Sequence, residues 1–169
     1  FLSYEILNKH KPAAASLGRA DLERLGRGID NWGAVDLFGC FVAGPAWRER
    51  QVPDALIHRW ARSPDRWWRR AALVCTVPLN MPAQGGKGDP ERTLAVCAKL
   101  IDDRDDMVVK ALSWSLRALA RQAPAAVTAF LTDHHPRLAA RVTREVRHKL
   151  STGLKNPRPN KPRRGLKPS

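Results

Sequence analysis

Asp30-Asn31-Trp32-Gly33-Ala34-Val35-Asp36, running on through Leu37-Phe38-Gly39-Cys40-Phe41-Val42-Ala43-Gly44, is the stretch whose reading decides the fold. As a helix, each residue turns by about 100°. Leu37, Phe38 and Phe41 then share one side, with Ala34 among them, and form a face that can bury into a core. Trp32 and Asp36, four residues apart, fall on the opposite side beside Gly39, Cys40 and Ala43, all small. A large aromatic and a carboxylate are expected to stand over a floor cleared of bulk, away from the main packing side. The competing reading is a helix with two buried sides, in which Asp36 caps or pairs with an arginine. Asn31 or Asp30 is suited to cap the helix in either case.

Outward from that stretch, 169 residues are enough for one domain with a real core. Thirty Lys+Arg against sixteen Asp+Glu leave a net charge of +14. Such an excess points to a polyanionic partner, nucleic acid before an acidic membrane surface. Residues 151–169 hold six basic and no acidic residues, which leaves +8 on residues 1–150. The body is basic without its tail. Pro157, Pro159, Pro162 and Pro168, set among lysines and arginines, make the tail read as extended and disordered.

Cys40, Cys75 and Cys97 sit in apolar helical patterns without metal-ligand spacing, as buried reduced thiols of a cytosolic protein do. No apolar run approaches a membrane span, and no signal peptide is recognised. The chain opens on Phe1 inside what reads as the end of an amphipathic helix (Leu2, Ile6, Leu7), so an N-terminal portion is expected to be missing.

Nearly every segment reads as helix, and none alternates with the two-residue period of a strand. Ser3 to His10 is short and ends at Lys11-Pro12; Arg19 to Gly28 stops at glycine. The Asn31 helix is predicted to end at Gly44-Pro45. Pro53-Asp54 opens a helix with Leu56, Ile57 and Trp60 as its stripe. Ser63-Pro64-Asp65 gives a cap followed by proline and starts a helix to about Val77. Met81 to Gly88 is a Gly/Pro loop. Asp89-Pro90 opens a helix to Leu100, and an acidic turn (Asp102, Asp103, Asp105, Asp106) leads into Met107 to Gln122. Pro124 to Leu131 and about Arg137 to Leu150 complete the set. Paired helices with short turns predict an all-α stack of HEAT or armadillo type over residues 1–150, with a compact bundle as the alternative.

The Met107–Gln122 segment carries the most functional information. Val108, Leu112, Ser115, Leu116 and Leu119 make its apolar stripe, while Lys110, Trp114, Arg117 and Arg121 project from the other side. An indole among three cations fits phosphate contact by the cations with the ring packed on sugar or base; the plainer alternative is a solvated face with one incidental Trp. In the Asp65 helix, Trp67, Ala71, Val74 and Cys75 face inward, Arg69 and Thr76 point away, and Arg70 lies at the flank. There it can bury its stem and present its guanidinium to a groove. An exposed arginine without a role reads the same.

Other constellations fail. Ser, His and Asp occur without a nucleophile elbow. His134-His135-Pro136 reads as a solvated turn, with no metal site. Gln84-Gly85-Gly86-Lys87-Gly88 lacks Walker spacing and reads as a flexible connector.

Asn31-Trp32-Gly33-Ala34-Val35-Asp36, Trp67-Trp68-Arg69-Arg70-Ala71-Ala72 and Val109-Lys110-Ala111-Leu112-Ser113-Trp114-Ser115-Leu116-Arg117 together resemble successive signatures of the DNA alkylation repair family, the HEAT-like alkylpurine DNA glycosylases known as AlkD-like. The likeness covers roughly Ala20 to Asn156. It implies a right-handed stack of helical repeats whose concave basic face holds duplex DNA, and excision of N3- and N7-alkylated purines. The family's catalytic pattern falls on Trp32, Asp36, Arg70 and Trp114. By resemblance the two indoles pack against the deoxyribose and Arg70 contacts the backbone. Asp36 stabilises the oxocarbenium-like sugar and is a candidate to position the attacking water. Lys110, Arg117, Arg121 and Arg69 are the DNA-binding candidates. The resemblance implies a monomer acting on double-stranded DNA with alkylated bases, without metal or organic cofactor and away from membranes. It implies a cytoplasmic enzyme, associated with the nucleoid when bound. Ser113 departs from the glycine of the best-known members, Trp67-Trp68 doubles an aromatic they carry singly, and the N-terminal helices are absent or only partly present. Two other functions remain on the sequence: a non-catalytic helical module recognising DNA or RNA structure, and a scaffold for an acidic protein partner.

Overall fold

A computed structural model describes residue 4 and residues 10–154; all of its regular elements are helices or helical turns. The helices are α1 (Lys11–Ala15), α2 (Arg19–Gly26), then α3, one rod made of Trp32–Phe38, a π-turn at Gly39–Ala43 and Gly44–Arg48. After it come α4 (Asp54–Trp60), α5 (Arg66–Val74), the short α6 (Val77–Asn80), α7 (Pro90–Ala98), α8 (Asp106–Leu119), α9 (Pro124–His134) and α10 (Ala140–Thr152). Of the expected Ser3–His10 helix only Tyr4, which is helical, and His10, which caps α1, are described, and the tail from residue 155 onward lies outside the described residues.

Capping chemistry sets the starts of α3, α5, α7 and α8. Asn31 Oδ1 accepts from Ala34 N at 2.9 Å, Asp65 Oδ1 from Trp67 N at 2.8 Å, Asp89 Oδ1 from Arg92 N at 3.0 Å and Asp105 Oδ1 from Met107 N at 2.9 Å. Each satisfies a donor that the first helical turn leaves open. At α5 the cap is Asp65, so Pro64 precedes the helix and is not its first residue.

The α3 helix does not end at Gly44-Pro45, as the sequence predicted, but continues to Arg48. A proline inside an α-helix removes one donor and collides with the carbonyl four residues back. Here the turn just before it is widened: Gly44 N donates to Gly39 O, five residues back, in place of the usual four. Two glycines make room for this. A Cβ on Gly39 would stand 2.7 Å from Val74 Cγ1, and one on Gly44 would stand 2.5 Å from Gly39 O and 2.9 Å from Cys75 O.

The main chain of packing runs α3 against α5, α5 against α8, and α8 against α10, with α4 and α7 behind. Phe38, Trp47, Ile57, Leu73, Leu112, Leu116 and Leu119 are among the fully buried side chains. Phe38, Trp60 and Trp68 form an aromatic knot, with ring centroids 4.8–6.2 Å apart. Six of the cross-ties between layers join partners 34 to 36 residues apart: Asp36–Arg70 and Asp103–Arg69 at 34, Asp102–Arg137 and Asp106–Arg141 at 35, Gln84–Arg48 and Glu23–Arg59 at 36; others span from 32 (Ser113–Glu145) to 45 (Trp47–Arg92).

Several side-chain directions differ from the wheels. Gly39, Cys40 and Ala43 are buried against α5 and do not form an open floor, whereas Phe41 is 36 % exposed and Leu37 and Ala34 are half-buried. The rod is therefore buried on two sides, because both α2 and α5 pack on it. Thr76 was expected to point away but is fully buried, its Oγ1 donating to Leu73 O at 2.7 Å. The glycine-rich segment is not a free connector. Gly88 N donates to Leu79 O, Gly86 N to Met81 O, and buried Asn80 accepts from Asp89 N. His134 closes α9 as its last helical residue, with its ring 4.5 Å from Phe130.

Candidate nucleic-acid groove

A groove of about 530 Å³ opens across the first turns of α3, the middle of α5 and one face each of α8 and α10. Its lining includes Trp32, Asp36, Arg70, Lys110, Trp114 and Arg117, six of the eight residues expected at the site. Trp32 stands at the start of α3, 62 % exposed, because the Asn31 cap fixes where the helix begins and the core side of that turn is filled by Val35. Asp36 follows one turn later on the same face. Trp114 is half-buried on α8, opposite the stripe formed by Leu112, Leu116 and Leu119.

Arg70 is the least exposed of the six. Its side chain is 7 % exposed and grips Asp36 with a two-point fork, Nε to Oδ1 at 2.9 Å and Nη2 to Oδ2 at 2.8 Å. Nη1 donates to Met107 O at 2.5 Å, so one guanidinium ties α3, α5 and α8 together. The carboxylate, 20 % exposed, still reaches the groove. Pairing of Asp36 with an arginine and a doubly buried rod belong to the competing reading of the Trp32–Asp36 stretch, and both are present. They coexist with the groove. Burial first, and then the negative charge of Asp36, push the neighbouring Cys40 thiol up to about 12.

Along the far wall the cations are organised by acids. Lys110 Nζ lies 2.6 Å from Asp106, and Arg141 Nη1 donates to the other oxygen of that carboxylate at 2.7 Å. Lys110 first, and then Arg141, hold the Asp106 carboxyl below the usual carboxylate range. Glu145 accepts from Ser113 Oγ at 2.7 Å and sits between Arg117 (3.7 Å) and Arg141 (3.4 Å). Burial lowers the Arg117 pKa, and Glu145 opposes that shift.

Two expected residues lie elsewhere. Arg69 is tied to Asp103 at 2.7 Å and to the carbonyls of Ser63 and Pro64, and does not line the groove; neither does Arg121, which is exposed just beyond α8. Arg141, Glu145 and Met107 line it without having been anticipated. The signal for the first two was present: an Arg/Glu pair at i, i+4 on α10, set against an apolar stripe of Val142 and Val146. A second hollow, of about 590 Å³, is bounded by Arg27, Arg59, Arg62, Trp60 and Trp68 and shares no lining residue with the groove. Among the described residues no cluster of three or more His, Cys, Asp or Glu could hold a metal ion.

Taken together, the groove offers a fixed carboxylate, two indoles and a cationic wall. That set suits a polyanion whose reacting centre gains positive charge. Neither the curated proteins nor the solved structures offer a match to this chain. The model of the family described as DNA alkylation repair enzyme matches residues 1–150, which makes DNA the substrate or partner and alkylation repair the setting. The chain belongs to the DNA alkylation repair enzyme family.

Proposed function

We propose that the chain is a monofunctional DNA glycosylase that hydrolyses the N-glycosidic bond of N3- and N7-alkylated purines in duplex DNA. The observation that carries this reading is Asp36, held by Arg70 in a groove that Trp32 and Trp114 also line. An N3- or N7-alkylated purine is already cationic and leaves without being protonated. Positive charge develops instead on the deoxyribose, where a preorganised carboxylate and the faces of two indoles stabilise it. The Arg70 fork uses one acceptor site on each Asp36 oxygen and leaves the remaining lone pairs for the sugar or for a water. Lys110 and Arg117 supply phosphate contacts along the opposite wall.

The fold reading attached to this function is a HEAT-like stack with the groove as its concave face, acting as a monomer in the cytoplasm and on the nucleoid. Six cross-ties whose partners lie 34 to 36 residues apart are in keeping with stacked helix pairs.

The second reading, a non-catalytic module binding DNA or RNA structure, draws on the same ion pair, since a carboxylate already paired with arginine also serves packing alone. One assay separates the two: release of 7-methylguanine from methylated duplex DNA by the unaltered chain and by Asp36→Asn. The glycosylase reading expects release above the spontaneous rate, lost in Asp36→Asn with DNA affinity nearly unchanged. Equal release by both proteins removes Asp36 from the chemistry. Binding without release by either leaves the module.

A further inference from the structure

Arg117 combines two properties that rarely occur together. Its side chain is only 11 % exposed, yet its terminal nitrogens have no hydrogen-bond partner among the described residues. Neither is among the solvent-sealed atoms without a partner found in the described residues, and the residue lines the groove. Nε is held from behind, donating to Ser113 Oγ at 3.2 Å with Glu145 Oε2 at 3.7 Å. The same carboxylate, itself 16 % exposed, receives Ser113 Oγ and steadies Arg141 through Nε at 3.4 Å. A guanidinium stripped of most of its water, aimed by an acid at its rear and left open at its fork, is set up for a two-point anionic acceptor.

The geometry points to a phosphate receptor on the α8–α10 wall, in which Glu145 and Ser113 are positioning residues that present Arg117 to a DNA phosphate. This inference rests on the proposed reading only for DNA as the ligand and not for the chemistry at Asp36. It assigns a purpose to Ser113, whose hydroxyl is the hydrogen bond that joins α8 to Glu145 beside the Arg117 ion pair. It also makes a claim opposite in sign to plain electrostatics. An acid in a DNA groove repels phosphate, so deleting it should tighten binding; if Glu145 positions the receptor, deleting it loosens binding.

The test measures affinity for an undamaged fluorescent duplex over a salt series, using the full chain, Glu145→Ala, Ser113→Ala and Arg117→Ala, with thermal unfolding followed in parallel. Losing one phosphate contact should flatten the log–log salt slope by about one unit. Arg117→Ala is expected to show that flattening, and Glu145→Ala to match it with several-fold weaker binding. Tighter binding by Glu145→Ala, or an unchanged slope, overturns the proposal. Should Glu145→Ala lose its cooperative unfolding, Ser113→Ala decides, because it keeps both charges: a flatter slope supports the receptor and an unchanged one overturns it. Release of 7-methylguanine is scored on the same proteins. A chain with no release whose variants flatten the slope leaves the receptor standing and removes the glycosylase; release with no flattening does the reverse.

Discussion

Asp36 and Arg70 meet through two parallel hydrogen bonds that only a planar fork can make. Arg70→Ala would leave the carboxylate without its partner in a largely desolvated place. We expect a loss of about 2 kcal/mol in denaturant unfolding, below the cost for a fully buried pair because Asp36 keeps some contact with water. Arg70→Lys should recover little of that loss, since an ammonium cannot span both oxygens and the Met107 carbonyl. A recovery close to the unaltered protein would reduce Arg70 to a point charge. His58 makes a different case. Burial first, then Lys99 and Arg62, lower its pKa below 6.5, while Asp54 opposes them, and its Nε2 is sealed without a partner. A histidine depressed in the folded state favours folding fully above about pH 6.5 and loses that contribution as the pH falls toward its folded value. His58→Gln should therefore flatten the fall in stability between pH 7 and pH 5; an equal fall in both proteins would count against this role.

At the scale of elements, the sequence was most legible where a short polar side chain closes a helix start. Asn31, Asp89 and the Asp102–Asp106 turn announce their helices by chemistry that acts within three residues. Helix ends and facing directions were less legible. Whether Pro45 stops a helix depends on a widened turn whose Gly39 lies close against α5, and that closeness is tertiary information. Phe41 was misplaced for a related reason, since a wheel assumes one buried side while α3 lies between α2 and α5; Thr76 was misplaced because α5 stops at Val74 and the wheel no longer applies there. Gly44 gives the corresponding prediction. Gly→Ala within a helix ordinarily stabilises by about 1 kcal/mol. Here the added carbon would meet backbone oxygens on two sides, so Gly44→Ala should destabilise by about 2 kcal/mol in thermal or denaturant unfolding. A stabilised variant would show that the two helices can move apart freely.

For the whole molecule, the basic excess and the trio of segments bearing Trp32, Arg70 and Trp114 were readable, and these residues do converge on one groove. What stayed hidden was the sorting of the cations. Arg69 and Arg70 are neighbours in sequence, yet one is locked to Asp103 and the other to Asp36. Only packing between layers decides which. The three thiols are all buried within this packing, so a thiol-reactive dye should label none of them in the native protein at pH 8 and all three in denaturant; rapid native labelling would show that the layers open readily.

The π-turn in α3 has one more consequence. Upstream of it stands the acid of the groove, and downstream stands Trp47, whose indole is fully enclosed and donates to Asp54 at 2.7 Å. Taking one residue out of Gly39–Ala43 would wind that turn back to ordinary pitch and swing the lower half by about 100°. Trp47 would leave its socket while Asp36 kept its heading. The extra residue works as a coupling that lets two ends of a single shaft be timed separately, one to the groove and one to the hull that carries it.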